Sequence, residues 1–196
     1  MGYYQEIIII PDQEISPHFL WTKIMTAVHH RFSFFADADG LINFGVSFPD
    51  YDLRRKSLGR RIRIFAETKQ ELLQLGLDDK LAVFSEYVMI GSVRPVPEHA
   101  GHVFYRKVHE KPRLEVKIRH MMKKKGISFD DAAMNFTEAG REIRNLPRIN
   151  LVSSTTGNHF PLYIKKEDCS SASKGRYNSY GLSTTAAATN ATVPEF

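Results

Sequence analysis

Over residues 1–95, strand and helix signals alternate in the order βαββαβ. "YYQEIIII" is rich in β-branched residues and ends at Pro11, which predicts a strand. Ser16 and Pro17 pair a capping side chain with a first-turn proline and open a helix running to about Phe34. "LINFGVSF" reads as a strand closed by "PDYD". "RRIRIFAE" alternates charged and apolar residues, the pattern of a half-buried strand. Thr68 caps "KQELLQLG", which stops at Gly76. "LAVFSEYVMIGSV" is the last strand of the series, closed by "RPVP".

That order predicts an α+β chain whose first domain, residues 1–95, has the ferredoxin-like (RRM-like) arrangement. "RPVPEHAG" (94–101) is the boundary, and residues 96–196 form a smaller α/β domain. There, "PRLEVKIRHMMKKKG" (112–126) is a helix with a glycine stop, and "SFDDAAMNFTEAGREIRN" (128–145) is a second helix with acids in its first turn. "RINLVSS" and "HFPLYIKK" are strands flanking a "STTGN" turn. The small, polar end "STTAAATNATVPEF" reads as mobile or laid on the surface.

With 196 residues the chain is long enough for a sizeable core, and its hydrophobic fraction of 42% predicts that most of it folds. No apolar run approaches the roughly 18 residues of a membrane span. "MGYYQEIIII" lacks the basic region and cleavage site of a secretory signal, and Glu6 stands where a myristoylation motif needs Ser or Thr. Cys169 is the single cysteine, so a disulfide framework or a cysteine-based zinc site within one chain is excluded. The expectation is a cytoplasmic protein without a cofactor or a membrane partner. Charge is uneven: residues 1–95 carry net −1 and residues 96–196 net +6. The second half is the one suited to a polyanion, although a solvated basic surface gives the same count.

The basic helix sharpens that choice. At 100° per residue, Leu114, Ile118, Met121 and Met122 share one arc. Arg113, Lys117, His120 and Lys124 share another, with Arg119 and Lys123 beside it and only Glu115 diluting the charge. One face docks on protein. The other presents cations at one helical pitch, which suits a phosphate backbone because each contact releases counterions. An amphipathic helix in water has the same pattern, but rarely so few acids. A membrane surface is disfavoured because the apolar face has no Trp or Phe.

In the first helix, Leu20, Trp21, Ile24, Met25, Ala27, Val28 and Phe32 fall on one arc. His29 lies at its edge and His30 points away, toward solvent. An edge imidazole is held by packing yet reaches outside, which suits a general base; a hydrogen-bonded boundary histidine fits the pattern equally. Adjacent helical residues cannot converge on one metal ion, and "HAGH" (99–102) has no acidic company. "SSTTGNHF" (153–160) sets hydroxyls before a glycine and an aromatic, which suits phosphate oxygens and base stacking but also describes an ordinary turn beside a core Phe. Tyr180 in "NSYGLS" is either a site hydroxyl or a strand end.

Taken in order, these segments resemble the CRISPR repeat-processing endoribonucleases of subtype I-F, often called Csy-four. The likeness covers nearly the whole chain: "PDQEISPHFLWTKIMTAVHH", "GVSFPDYD" followed by "LGRRIRIF", "STTGNHFPLYIK" and "YGLS". The resemblance implies that His29, not His30, is the catalytic histidine, Ser153 the active-site serine and Tyr180 the active-site tyrosine. Thr155 and Thr156 take the place of the next hydroxyl pair, and Phe160 that of the aromatic stacked under the RNA stem. The groove-tracking helix falls on residues 113–125, with lysine and histidine replacing many arginines, so its contacts are less bidentate. Lys107 and His109 stand where the family reads base edges.

The implied activity is metal-independent cleavage of a repeat hairpin in precursor guide RNA. The 2′-hydroxyl attacks the adjacent phosphorus, leaving a 2′,3′-cyclic phosphate and a 5′-hydroxyl. The implied partners are that RNA, retained through the 3′ hairpin of the product, and the other subunits of the interference complex. Two other classes stand beside this one. The first is a non-catalytic RNA-hairpin-binding subunit, although "LGRRIRIFAE" lacks the paired aromatics of an RRM strand. The second is an interaction domain with no RNA at all.

Overall fold

The structure is a computed structural model that describes residues 1–108, 114–128, 145–153 and 156–196. It is an α+β protein built on two antiparallel sheets. The first sheet has the order β2 (Gly45–Ser47), β3 (Arg61–Ala66), β1 (Tyr3–Ile9), β4 (Val88–Ile90), with β5 (Arg94–Pro95) also paired to β1. The second has the order β7 (Arg148–Val152), β8 (His159–Cys169), β6 (Gly101–Val108), β9 (Val193–Glu195). Three of the α-helices, α1 (Pro17–Ser33), α2 (Lys69–Gln74) and α3 (Leu77–Leu81), connect strands of the first sheet, and α4 (Leu114–Lys125) follows β6.

Local sequence explains the elements that the site needs. In β1, Ile7 and Ile9 alternate inward, so one face of the strand meets the core. Helix α1 starts where Ser16 Oγ accepts the Phe19 N–H at 3.3 Å, with Pro17 in the first turn. Its buried residues are Leu20, Trp21, Ile24, Met25, Ala27, Val28 and Phe32, the arc expected from helical spacing. Thr68 and Glu71 close a reciprocal capping box on α2. In α4, Ile118 is buried and Gly126 adopts φ +65° just past the last turn, its N–H reaching the Met122 carbonyl at 2.8 Å.

Four local expectations change. The alternation in "RRIRIFAE" does not leave a half-buried strand: Ile62 through Ala66 are all buried, Arg63 included. The reason is the C-terminal end, which covers the second face. Phe196 packs edge-on to Tyr4 at 5.0 Å and beneath the Arg63 guanidinium at 4.1 Å, while Arg63 also ion-pairs with Glu6 at 2.8 Å. The tail is therefore neither mobile nor merely superficial. Thr189, Ala191, Thr192 and Val193 are buried, and β9 pairs with β6. "LAVFSEYVMIGSV" supplies only the short β4, because α3 and a 3-10 turn (Ala82–Phe84) take its first half. The boundary expected over 94–101 runs into β6, a strand the sequence reading leaves unassigned and a central one in the second sheet. The helix expected over 128–145 falls largely outside the described residues.

The sheets share one hydrophobic cluster. Tyr105 in β6 donates to the Phe48 carbonyl at 2.9 Å, Tyr51 donates to the Ile164 carbonyl at 3.1 Å, and Thr22 of α1 donates to the Asn150 carbonyl of β7 at 2.8 Å. The closest approaches fall on glycines. A Cβ on Gly45 would meet Val193 Cγ1 at 2.5 Å and Tyr177 Cζ at 2.8 Å. Gly181 has φ +74°, and a Cβ there would meet Val46 Cγ1 at 2.7 Å and Phe32 at 3.0 Å. Gly181→Ala combines left-handed strain with overpacking, so it is expected to lower stability by about 1–3 kcal/mol. A calorimetric melt that matches wild type would refute this account of the seam.

Candidate functional site

The C-terminal half of α1 forms one wall of a 320 Å³ cleft. Thr26, His29, His30 and Ser33 face it from the helix, Leu151, Val152, Ser153 and Phe160 from the β7–β8 hairpin, and Ser179 and Tyr180 from the turn after Tyr177. Three segments far apart in sequence thus meet at one place. A larger cleft of 550 Å³ lies elsewhere, between the end of β1 and residues 50–61. Of its two carboxylates, Asp50 is committed to Arg61, whose guanidinium holds it below the usual carboxylate range, and Asp52 pairs with Arg55 at 3.7 Å; its lining has no imidazole. Among the described residues, no group of three His, Cys, Asp or Glu side chains is placed to hold a metal ion.

His29 is fixed on two sides. Its Nδ1 lies 2.7 Å from the Ser179 carbonyl, an acceptor only, so Nδ1 carries the hydrogen and donates. Nε2 is then the ring's free lone pair. The imidazole also stacks on Tyr180, with centroids 4.2 Å apart and planes 15° from parallel. Burial pushes the Tyr180 phenol up from its ordinary value, so it remains a neutral hydroxyl across the physiological range. The sequence reading assigned the histidine and the tyrosine but not the Ser179 carbonyl between them. A backbone acceptor carries no residue-type signature, so only the fold reveals it.

The turn that carries Ser179 and Tyr180 is built by Asn178. Its Oδ1 accepts the Tyr180 N–H at 2.9 Å and the Leu182 N–H at 3.3 Å, while the Gly181 N–H reaches the Asn178 carbonyl at 2.8 Å. On the opposite wall, Gly157 with φ +69° closes the hairpin, donating to the Ser153 carbonyl at 2.8 Å. Ser153 Oγ accepts the Thr156 N–H at 3.2 Å, which leaves its own hydrogen free to donate into the cleft.

Of the remaining expected site residues, Phe160 is half-buried and lines the cleft. Thr156 is exposed on the hairpin turn, and Thr155 lies outside the described residues. His30 is exposed as expected, yet it also reaches the rim of the cleft. Arg119, His120, Lys123 and Lys124 are exposed on α4 while Ile118 is buried, the two-faced helix that the spacing predicts. Lys117 lies within α4, and Arg113 and His109 lie outside the described residues. Lys107 is half-buried at the end of β6, its ammonium 5.0 Å over the Tyr180 ring, and burial pulls its pKa down.

Asn178→Ala removes the acceptor of two N–H groups and should cost about 1–3 kcal/mol. The looser turn should also shift the His29 ring protons, which sit in the ring current of Tyr180, and Asn178→Asp should restore them. Unchanged His29 NMR shifts in the alanine variant would show that the turn is held by something else.

Comparison with known proteins gives a consistent family. Residues 4–196 match the CRISPR-associated protein family Csy4. A protein of Pseudomonas aeruginosa named CRISPR-associated endonuclease Cas6/Csy4 is 29% identical over 184 residues, covering 93% of this chain and 96% of its own. One of Escherichia coli with the same name is 29% identical over 197 residues, covering 100% of both chains. With an imidazole, a phenol and a serine hydroxyl gathered in one cleft, and a family match running through all three segments that supply them, the chain belongs to the Csy4 family of CRISPR-associated proteins.

Proposed function

We propose that this chain is an endoribonuclease that cuts the repeat hairpin of CRISPR precursor transcripts in the cytoplasm, without a metal. The observation that carries the reading is the His29 constellation: an imidazole whose Nδ1–H is tied to a carbonyl, leaving Nε2 as a base beside two neutral hydroxyls. The relatives' name, CRISPR-associated endonuclease, supports the substrate class.

In this mechanism the ribose 2′-hydroxyl upstream of the scissile bond attacks the adjacent phosphorus. His29 Nε2 accepts its proton. Ser153 orients the 2′-oxygen, and Tyr180 holds the imidazole plane. The product ends are a 2′,3′-cyclic phosphate and a 5′-hydroxyl. General-base help of this kind contributes about 10²- to 10⁴-fold.

Recognition is assigned to α4 and the hairpin. The exposed cations Arg119, His120, Lys123 and Lys124, continued by Arg113 and Lys117, track the phosphates of the RNA stem. Phe160 stacks on its terminal base, Thr155 and Thr156 bind phosphate oxygens, and Lys107 and His109 lie along the stem's foot. A ferredoxin-like domain over residues 1–95 carries the catalytic helix, a reading supported by the β2–β3–β1–β4 strand order. Residues 96–196 form the RNA-binding domain. The protein then stays on the 3′ hairpin of its product and joins the other subunits of the interference complex.

The test is cleavage of the cognate repeat hairpin in excess EDTA, wild type beside His29→Ala, with end-group analysis and filter binding at several salt concentrations. Wild type alone should cleave, leaving a cyclic or 3′-phosphate, while both proteins bind with affinity that falls steeply with salt. Binding without cleavage by either protein would leave an RNA-binding subunit. Salt-insensitive affinity would sink the α4 footprint.

A further inference from the structure

The reaction proposed above needs two proton transfers, and the residues assigned so far supply one. Attack forms the 2′-O–P bond and sends a proton to His29. Rupture of the P–O5′ bond leaves an oxyanion that also needs a proton. Tyr180 is a poor source, because burial has made its phenol a weaker acid. Among the cleft's neighbours, Lys107 holds a proton that no step yet uses.

Its placement is unusual for a lysine. The residue is half-buried, and its ammonium stands 5.0 Å over the Tyr180 ring. An imidazole stacked at 4.2 Å and nearly parallel covers one ring face, which leaves the other for the ammonium. His29, Tyr180 and Lys107 therefore form a column with the base at one end and a cation at the other. The backbone holds this order, since the Lys107 N–H donates to the Ser183 carbonyl at 2.9 Å, three residues from Tyr180.

The described charges around Lys107 have other partners. Arg106 is bound to Glu167 and donates to the Thr184 carbonyl at 2.6 Å, and Lys165 pairs with the same Glu167 at 2.8 Å. Across β8, Lys107 faces Ile164. Among the described residues, no carboxylate ion-pairs with it. A desolvated ammonium that no described carboxylate pairs is costly in the free protein and is satisfied when a phosphate arrives.

We propose that Lys107 is the general acid of this site, protonating the departing 5′-oxygen while His29 takes the 2′-hydroxyl proton from the opposite side of Tyr180. In-line displacement puts the entering and leaving oxygens on opposite sides of phosphorus, and the column puts base and acid on opposite sides of one ring. The 2′-O–P bond forms, the P–O5′ bond breaks, His29 gains a proton and Lys107 loses one. Burial lowers the Lys107 pKa, the direction that makes its ammonium a better donor. The proposal rests on the cleavage reading above and assigns Lys107 a role other than contact with a base edge.

The experiment is single-turnover cleavage at saturating protein, using the full chain and two RNAs. One is the natural hairpin, and the other has sulfur in place of the bridging 5′-oxygen at the scissile bond. A thiolate leaves without protonation, so only an acid becomes dispensable on the second substrate. On the natural RNA, Lys107→Met and Lys107→Arg should both lose about 10²- to 10⁴-fold in rate, because a guanidinium keeps the charge but cannot give up its proton. On the sulfur substrate both should run within about threefold of wild type. Because the active form is the ammonium, the wild-type rate should also fall as pH rises through the lowered Lys107 pKa, a limb that Lys107→Met lacks. Restoration of the natural rate by arginine, or an equal deficit on both RNAs, overturns the proposal and leaves Lys107 a binding contact. Cleavage by none of the proteins overturns the cleavage reading itself, and Lys107 with it.

Discussion

Everything in this molecule hangs on the short segment Tyr177–Ser183, which is hydrogen-bonded to both sheets. Tyr177 exchanges backbone bonds with Ile42 at 2.9 and 3.0 Å, and Gly181 accepts from Val46 of β2 at 2.9 Å. Ser183 bonds in turn to Tyr105 and Lys107 of β6 at 2.8 and 2.9 Å. The Tyr177 ring is buried and its hydroxyl donates to the Thr192 carbonyl at 2.6 Å, tying in the strand that leads to β9. Because the chain must pass between two sheets at this point, glycine is required where it comes nearest, at Gly45 and Gly181. The same seven residues present Ser179 and Tyr180 to His29. Seam and site are one piece of backbone.

That economy explains how a helix in the first half and a hairpin in the second reach a common cleft. α1 is rigid because six of its apolar side chains and Trp21 are buried. Thr22 holds it to β7 through the Asn150 carbonyl, so Ser153, three residues on, arrives at the level of His29 without a long lever. The segment that brings the phenol lies between β8 and β9 and is pinned by its backbone bonds to Ile42, Val46, Tyr105 and Lys107. Such preorganisation lowers the cost of orienting reactive groups.

What was legible in the sequence follows the range of the interactions involved. Ser16, Pro17 and the apolar arc of α1 act within a few residues, so the helix, its start and the edge position of His29 could all be read directly. The same holds for Gly126 and Gly157, whose positive φ angles close a helix and a hairpin. Arg63 could not be read. A strand with a charged residue at alternate positions looks half-exposed, and only the return of Phe196 some 133 residues later buries that arginine under a ring and beside Glu6. β6 goes unassigned from sequence for a related reason: it follows directly on the "RPVPEHAG" boundary signal, and its strand character comes from β8 and β9 on either side. In the site, residue types marked His29, Ser153 and Tyr180, whereas the Ser179 carbonyl and the position of Lys107 are products of topology and have no letter in the sequence.

The division of labour between the two charged surfaces follows from solvation. The described cations of α4 stand in water, where a charge can exchange counterions for phosphates at little cost. Lys107 is a different kind of cation. It has already given up part of its hydration against the Tyr180 ring, so it has less to lose when an anion approaches and more to gain from one placed correctly. On the proposed reading, exposed charge gathers the RNA and buried charge discriminates its position. Under the same proposal, a phosphate held a residue out of register would satisfy α4 equally well but would leave the Lys107 ammonium and the His29 Nε2 without their partners. On that proposal the selection of a single scissile bond falls to these three side chains, and through Tyr180 to the seam that holds the sheets together.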